Sequence, residues 1–123
     1  MKQVLIAKNP LIKELVGSEI EFYPPIGELE MVLTGGKANL IRIPFTANVL
    51  SGGKLHLDFK ISKELASNAV NLLGAYHENN QITAYFMPLD GIDVTINKDV
   101  PILKATLMQV VSFRQVENMF LGG

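Results

Sequence analysis

Polar and apolar residues alternate at period two along most of this chain, in short runs bounded by glycine, proline or asparagine. Ser18-Glu19-Ile20-Glu21-Phe22 alternates and stops at Pro24-Pro25, and Glu28 to Leu33 resumes the pattern up to Gly35-Gly36. The two pieces are compatible with one long, bent first strand. A second strand is expected from Asn39 to Val49. Leu50-Ser51-Gly52-Gly53 then has the composition of a hairpin turn, and Lys54 to Ile61 returns as a third strand. In that return strand Leu55, Leu57, Phe59 and Ile61 point one way, and Lys54, His56, Asp58 and Lys60 the other. Further on, Gln81 to Pro88 is a strand, Asp90-Gly91 a hairpin turn, and Ile92 to Ile96 its partner. Pro101 to Phe113 is apolar enough for a final strand buried on both faces for part of its length. Beyond it, Val116, Met119 and Phe120 leave a helical tail open.

Two segments have helical spacing instead. Asn9 as N-cap, Pro10 at the first helical position and Gly17 past the end bracket a short N-terminal helix, with Leu11, Ile12, Leu15 and Val16 as its apolar stripe. The more substantial helix is expected over about residues 62–75. Ser62 is its N-cap, and Glu64 sits favourably in the first turn. Leu65, Ala69, Leu72, Leu73 and Tyr76 form its apolar face, and Gly74 and Asn79-Asn80 mark the end and the turn beyond.

In order, this reads as three strands, a helix and further strands. A five-stranded Greek-key barrel with a helix between its third and fourth strands is the order of the OB-fold. The expected architecture is therefore one β-rich, OB-fold-like domain over residues 1–123.

Composition narrows the functional classes. With 48% hydrophobic and 19% charged residues, the chain can bury a core. A formal charge of -1 gives no bulk attraction to nucleic acid, so such a role needs a local patch. There are no cysteines, hence no disulfide, thiolate metal site or cysteine nucleophile. The apolar run Val4-Leu5-Ile6-Ala7 is too short for a signal sequence, and no segment is long enough to span a bilayer, so a cytoplasmic protein is expected.

Catalytic constellations are not evident. His56 and His77 lack clustered acids at metal-ligand spacing and read as surface histidines. Gly35-Gly36-Lys37 and Gly52-Gly53-Lys54 lack Walker spacing and open no helix, so they read as turns. Glu19, Glu21, Glu28 and Glu30 form an acidic stripe best explained as a solvated strand face. No enzyme activity, metal or cofactor is expected.

The basic residues are distributed unevenly. Between Thr34 and Lys63 lie five bases (Lys37, Arg42, Lys54, Lys60, Lys63) and one acid (Asp58), a local charge of +4. If Ile41, Ile43 and Phe45 are buried, Arg42 faces outward beside Lys54, His56 and Lys60 of the hairpin partner. If Ile82, Ala84 and Phe86 point inward, Gln81, Thr83, Tyr85 and Met87 face outward. A tyrosine near a basic hairpin suits stacked bases and tracked phosphates; packing of Tyr85 against another subunit, with lysines kept for solubility, is the competing reading.

Through strand order, size and the helix placed after Ile61, the chain resembles the small OB-fold single-stranded DNA-binding proteins of bacteriophages such as lactococcal phages. The resemblance implies a non-catalytic, sequence-independent binder of single-stranded DNA acting in phage DNA replication or recombination, in the host cytoplasm. It implies contacts by Arg42, Lys54, His56, Lys60 and Tyr85, with Lys37 at a loop; Tyr23 is a further stacking candidate on the reading of the residues themselves. Bacterial relatives of that family end in an acidic tail; this chain ends Asn118-Met119-Phe120-Leu121-Gly122-Gly123. The apolar stretch Met108 to Leu121 suggests a homodimer. The alternatives are an assembly subunit of a virion or other complex with no nucleic-acid role, and a module for a small ligand or oligosaccharide.

Overall fold

A computed structural model describes residues 2–6, 17–25, 30–49 and 54–111. Among these residues, nine strands and one helical turn follow in chain order: β1 (Lys2–Ile6), β2 (Glu19–Phe22), β3 (Glu30–Leu33), β4 (Asn39–Val49), β5 (Lys54–Ile61), α1 (Lys63–Ala66), β6 (Val70–Glu78), β7 (Gln81–Pro88), β8 (Val94–Asn97) and β9 (Leu103–Val111). The fold is strand-rich and its sheets are largely antiparallel, as the alternation implies. The short N-terminal helix expected before Gly17 and the question of a helical tail both lie outside the described residues.

Among the described residues the strands form three sheets, and the expected five-stranded OB-fold-like Greek-key barrel is not found: a four-stranded sheet in the order β1-β4-β7-β6, a three-stranded sheet β2-β9-β5, and the pair β3-β8. Three expected pairings are therefore corrected. The two halves of the supposed bent first strand are separate, β2 lying on β9 and β3 on β8. β4 and β5 have the expected boundaries but do not form a hairpin; β4 pairs with β1 and β7, and β5 with β9. The turn at Asp90-Gly91 exists, with Ile92 N donating to the Leu89 carbonyl at 3.1 Å, yet β8 leaves β7 and joins β3. The segment at Lys2–Ile6 runs parallel to β4, opposite Phe45 to Val49.

The larger correction concerns residues 62–75, where the helix lasts one turn. Ser62 is the N-cap as expected, its buried hydroxyl accepting from Leu65 N at 3.2 Å. The next residues then end the helix. Ser67 Oγ donates to the Lys63 carbonyl, Asn68 Nδ2 donates to the Glu64 carbonyl at 2.8 Å, and Ala69 turns to φ 58. Short polar side chains that occupy backbone carbonyls compete with helix propagation, and a left-handed residue terminates it.

The chain returns as β6, hairpin-paired to β7 through Asn79 and Asn80 at φ 52 and 60. Two consecutive positive-φ residues match the twist of the flanking strands, and asparagine is among the residues that tolerate this. The helical spacing in the sequence comes from a β-bulge. Leu72 lies opposite Phe86 and Gly74 opposite Tyr85, so Leu73 is an extra residue. The inward positions Val70, Leu72, Ala75 and His77 are thus spaced two, three and two, and the three imitates a helical repeat.

One core joins all three sheets. The inward residues Ile41, Ile43 and Phe45 of β4 and Ile82, Ala84 and Phe86 of β7 are buried as expected, and meet Phe22, Leu33, Val94, Ile96, Leu103 and Ala105. Ile102 and Leu103 are both fully buried where the final strand starts, after which β9 alternates. Leu65 anchors α1 into the same core.

The loop between β3 and β4 is held tightly. Asn39 Oδ1 accepts from Thr34 N at 3.0 Å, and its Nδ2 donates to the carbonyls of Thr34, Lys37 and Phe86. A Cβ at Gly35 would stand 2.5 Å from the carbonyl oxygens of both Leu89 and Ile92, so backbone meets backbone there.

Two variants test this fold. Ala69→Gly is expected to raise stability by about 1 kcal/mol, because glycine takes a left-handed φ without strain; inside a helix over 62–75 it would lower stability by a similar amount. Gly35→Ala is expected to cost about 2–4 kcal/mol. Urea denaturation followed by far-UV circular dichroism reads both.

Candidate nucleic-acid interface

Strand pairing divides the expected site residues between two surfaces. Arg42 and Tyr85 lie on adjacent strands of the four-stranded sheet, Arg42 opposite Thr83 and Tyr85 opposite Leu40. Lys37 is exposed in the loop at the end of β4 that carries Leu40. His56 and Lys60 are exposed on β5, in the other sheet, and Lys54 stands at its start opposite Val111. The single basic face expected from a β4–β5 hairpin is thus replaced by two faces of different character.

On the three-stranded sheet, Lys60 lies opposite Lys104, which in turn lies opposite Glu21. The next row is Asp58, Thr106 and Glu19. Two lysines therefore share this face with three carboxylates, and a polyanion laid along it meets as much repulsion as attraction. Tyr23, also expected to stack, donates its hydroxyl to Glu21 Oε2 at 3.4 Å. The acidic stripe is broken up, with Glu19 and Glu21 here and Glu30 opposite Asn97 on β3.

The outer face of β4-β7-β6 is different. One cross-strand row runs Arg42, Thr83, Tyr76, and the next runs Leu40, Tyr85, Gly74. Arg42 is exposed, and no carboxylate among the described residues forms an ion pair with it. Tyr76 and Leu40 are 46% and 43% exposed, so an aromatic and an aliphatic surface flank the guanidinium. Tyr85 and Met87 are half-buried. Thr83, expected to face water, is 4% exposed because longer side chains stand on both sides of it. The bulged Leu73 extends the patch along β6. Residues directly opposite on one sheet face have Cβ atoms about 5 Å apart, and diagonal neighbours about 7–8 Å. Arg42, Tyr76 and Tyr85 therefore fall within one nucleotide-sized area.

Tyr76 is the member that sequence reasoning missed. Helical spacing assigned it to a core face, whereas the bulge at Leu73 turns it outward. The usable signal was Asn79-Asn80 between two alternating segments, a hairpin mark that links Tyr76 to the strand carrying Tyr85.

The histidines differ from each other. His56 is exposed on β5, while His77, expected in a turn and solvated, is half-buried on β6. Its ring packs edge-on against Phe45 at 5.1 Å, and its Nε2–H donates to the Phe45 carbonyl at 3.3 Å. A carbonyl only accepts, so that ring nitrogen carries the proton. No three of histidine, aspartate and glutamate cluster at metal-binding distance among the described residues. No helix among them is long and apolar enough to cross a membrane.

No family model, curated protein or solved structure matches this chain.

If this face is a surface and not a structural layer, its side chains are dispensable for folding. Tyr76→Ala is expected to change the unfolding free energy by less than about 1 kcal/mol, against about 3–5 kcal/mol for Phe86→Ala in the core beneath. Thermal and urea denaturation of the two variants make the comparison.

Proposed function

We propose that this protein is a non-catalytic binder of single-stranded nucleic acid, DNA in the first instance, and that it binds through the outer face of β4, β7 and β6. The supporting observation is the cross-strand row Arg42, Thr83, Tyr76 with Tyr85 in the adjoining row, which sets a guanidinium with no ion-pair partner among the described residues beside two tyrosines on one sheet face. Bases stack on aromatic faces without regard to sequence, and cations beside them neutralise phosphate. Lys37, at the Leu40 end of the same face, extends the positive charge along the path of a strand. His56, Lys54 and Lys60, on the other sheet, fall outside this footprint. DNA replication and recombination are the processes that expose such strands.

The weak overall charge sets the expected behaviour. With Arg42 and Lys37 as the cations of the face, few counterions are released, so affinity is modest and the salt slope shallow. The competing reading, a subunit-assembly face, draws on the exposed Leu40 and Leu73 in the same patch.

Fluorescence anisotropy of a labelled oligo-dT at low and moderate salt tests the proposal. Tyr76→Ala and Tyr85→Ala are each expected to weaken binding by about 1–3 kcal/mol, and Arg42→Ala to reduce the salt slope by about 0.7. Wild-type protein that ignores the oligomer at low salt, while light scattering shows oligomers that Leu40→Ser dissociates, would replace this reading by the assembly one.

A further inference from the structure

Four positions on the proposed face form a square across β6 and β7. Gly74 lies opposite Tyr85, and Tyr76 opposite Thr83. The two tyrosines occupy one diagonal, the two small residues the other. Cross-strand diagonal neighbours stand about 7–8 Å apart, which is about twice the thickness of an aromatic ring and leaves room for one planar group between two tyrosine rings.

Among the described residues the space beside Gly74 is open. A tyrosine opposite a glycine on adjacent strands commonly lays its ring over the missing side chain. Here, apart from the chain neighbours Leu73 and Ala75, no atom lies within 4 Å of where a Cβ at Gly74 would stand. Tyr85 therefore does not cover its partner. The floor is the exposed backbone of Gly74; Thr83, at the other small corner, is covered. Because Leu73 is bulged out as an extra residue, Gly74 and Tyr76 lie on the outer face together; regular alternation counted through Leu73 would point them into the core.

Resting on the function proposed above, we infer that this square is a slot for one unpaired nucleobase, inserted between Tyr76 and Tyr85 over Gly74, with Arg42 beside Thr83 taking the attached phosphate. A base in a duplex is already stacked on both faces and cannot enter without being extruded, so the slot selects single strands by shape. The guanidinium, which has no ion-pair partner among the described residues, supplies the charge that a phosphodiester needs.

Gly74 gives a clean test because its φ lies outside the left-handed range and a Cβ there meets nothing. Gly74→Val fills the slot while favouring the strand conformation. The variant is expected to unfold at the same or a higher urea concentration than wild type, and to bind oligo-dT roughly 10-fold or more weakly. An oligomer of abasic sites of equal length, which keeps the phosphates and lacks the bases, is expected to bind wild type as weakly as oligo-dT binds the variant. Gly74→Ser serves as a second, smaller filler if the valine variant does not fold. Wild-type protein that binds neither oligomer overturns both this inference and the function it rests on. If Tyr76→Ala and Arg42→Ala weaken binding but Gly74→Val and Gly74→Ser bind oligo-dT as wild type does, the slot is overturned and the face stands.

Discussion

Phe45 is where the parts of this molecule meet. It is fully buried on the inward face of β4, with Phe22 of the other sheet edge-on to it at 5.2 Å and His77 of β6 at 5.1 Å. Its backbone is equally committed. The amide donates to the Asn80 carbonyl at 3.0 Å in the β6–β7 turn, and the carbonyl accepts from His77. One residue thus ties the two larger sheets together and fixes the hairpin that carries both tyrosines of the candidate site. Edge-to-face aromatic pairs contribute about 0.5–1.5 kcal/mol beyond burial. Their greater effect here is geometric, because they hold the two larger sheets in a fixed relation.

Several strands were legible in the sequence, β1 and β6 were not, and the partners of most were not. The bounds of β4, β5 and β7 follow from alternation and turn residues, and the inward parity of Ile41, Ile43, Phe45, Ile82, Ala84 and Phe86 follows with them. Pairing is a non-local property. Leu50 to Gly53 has the composition of a hairpin turn, yet the strands on either side of it enter different sheets. β2 finds β9 at the opposite end of the chain. Nothing in the local pattern of Glu19 to Phe22 distinguishes that partner from a nearer one.

The candidate site was half legible for the same reason. Arg42 and Tyr85 were identified from parity alone, because their strands are regular. Tyr76 was hidden by one extra residue, since inserting Leu73 changes a two-residue period into a local three and imitates a helix turn. Ser62 really does cap a helix, which made the imitation more persuasive. Ser67, Asn68 and Ala69 then end that helix after one turn through side-chain hydrogen bonds and a left-handed backbone. The other basic residues, His56 and Lys60, were misplaced by the pairing error. Their true neighbours, Glu19, Glu21 and Lys104, make that face nearly neutral.

The bulge at Leu73 also has a consequence for how this molecule coexists with copies of itself. Among the described strands β6 is the outermost of its sheet, and an outermost strand offers its free edge to any passing chain. A long, flat edge of that kind templates fibrillar aggregation. An irregularity in mid-strand breaks the hydrogen-bonding ladder that an incoming strand would need and increases the local twist. Glu78 near the end of the strand adds charge against close approach. The same distortion that exposes an aromatic surface thus guards the strand bearing it against runaway self-association.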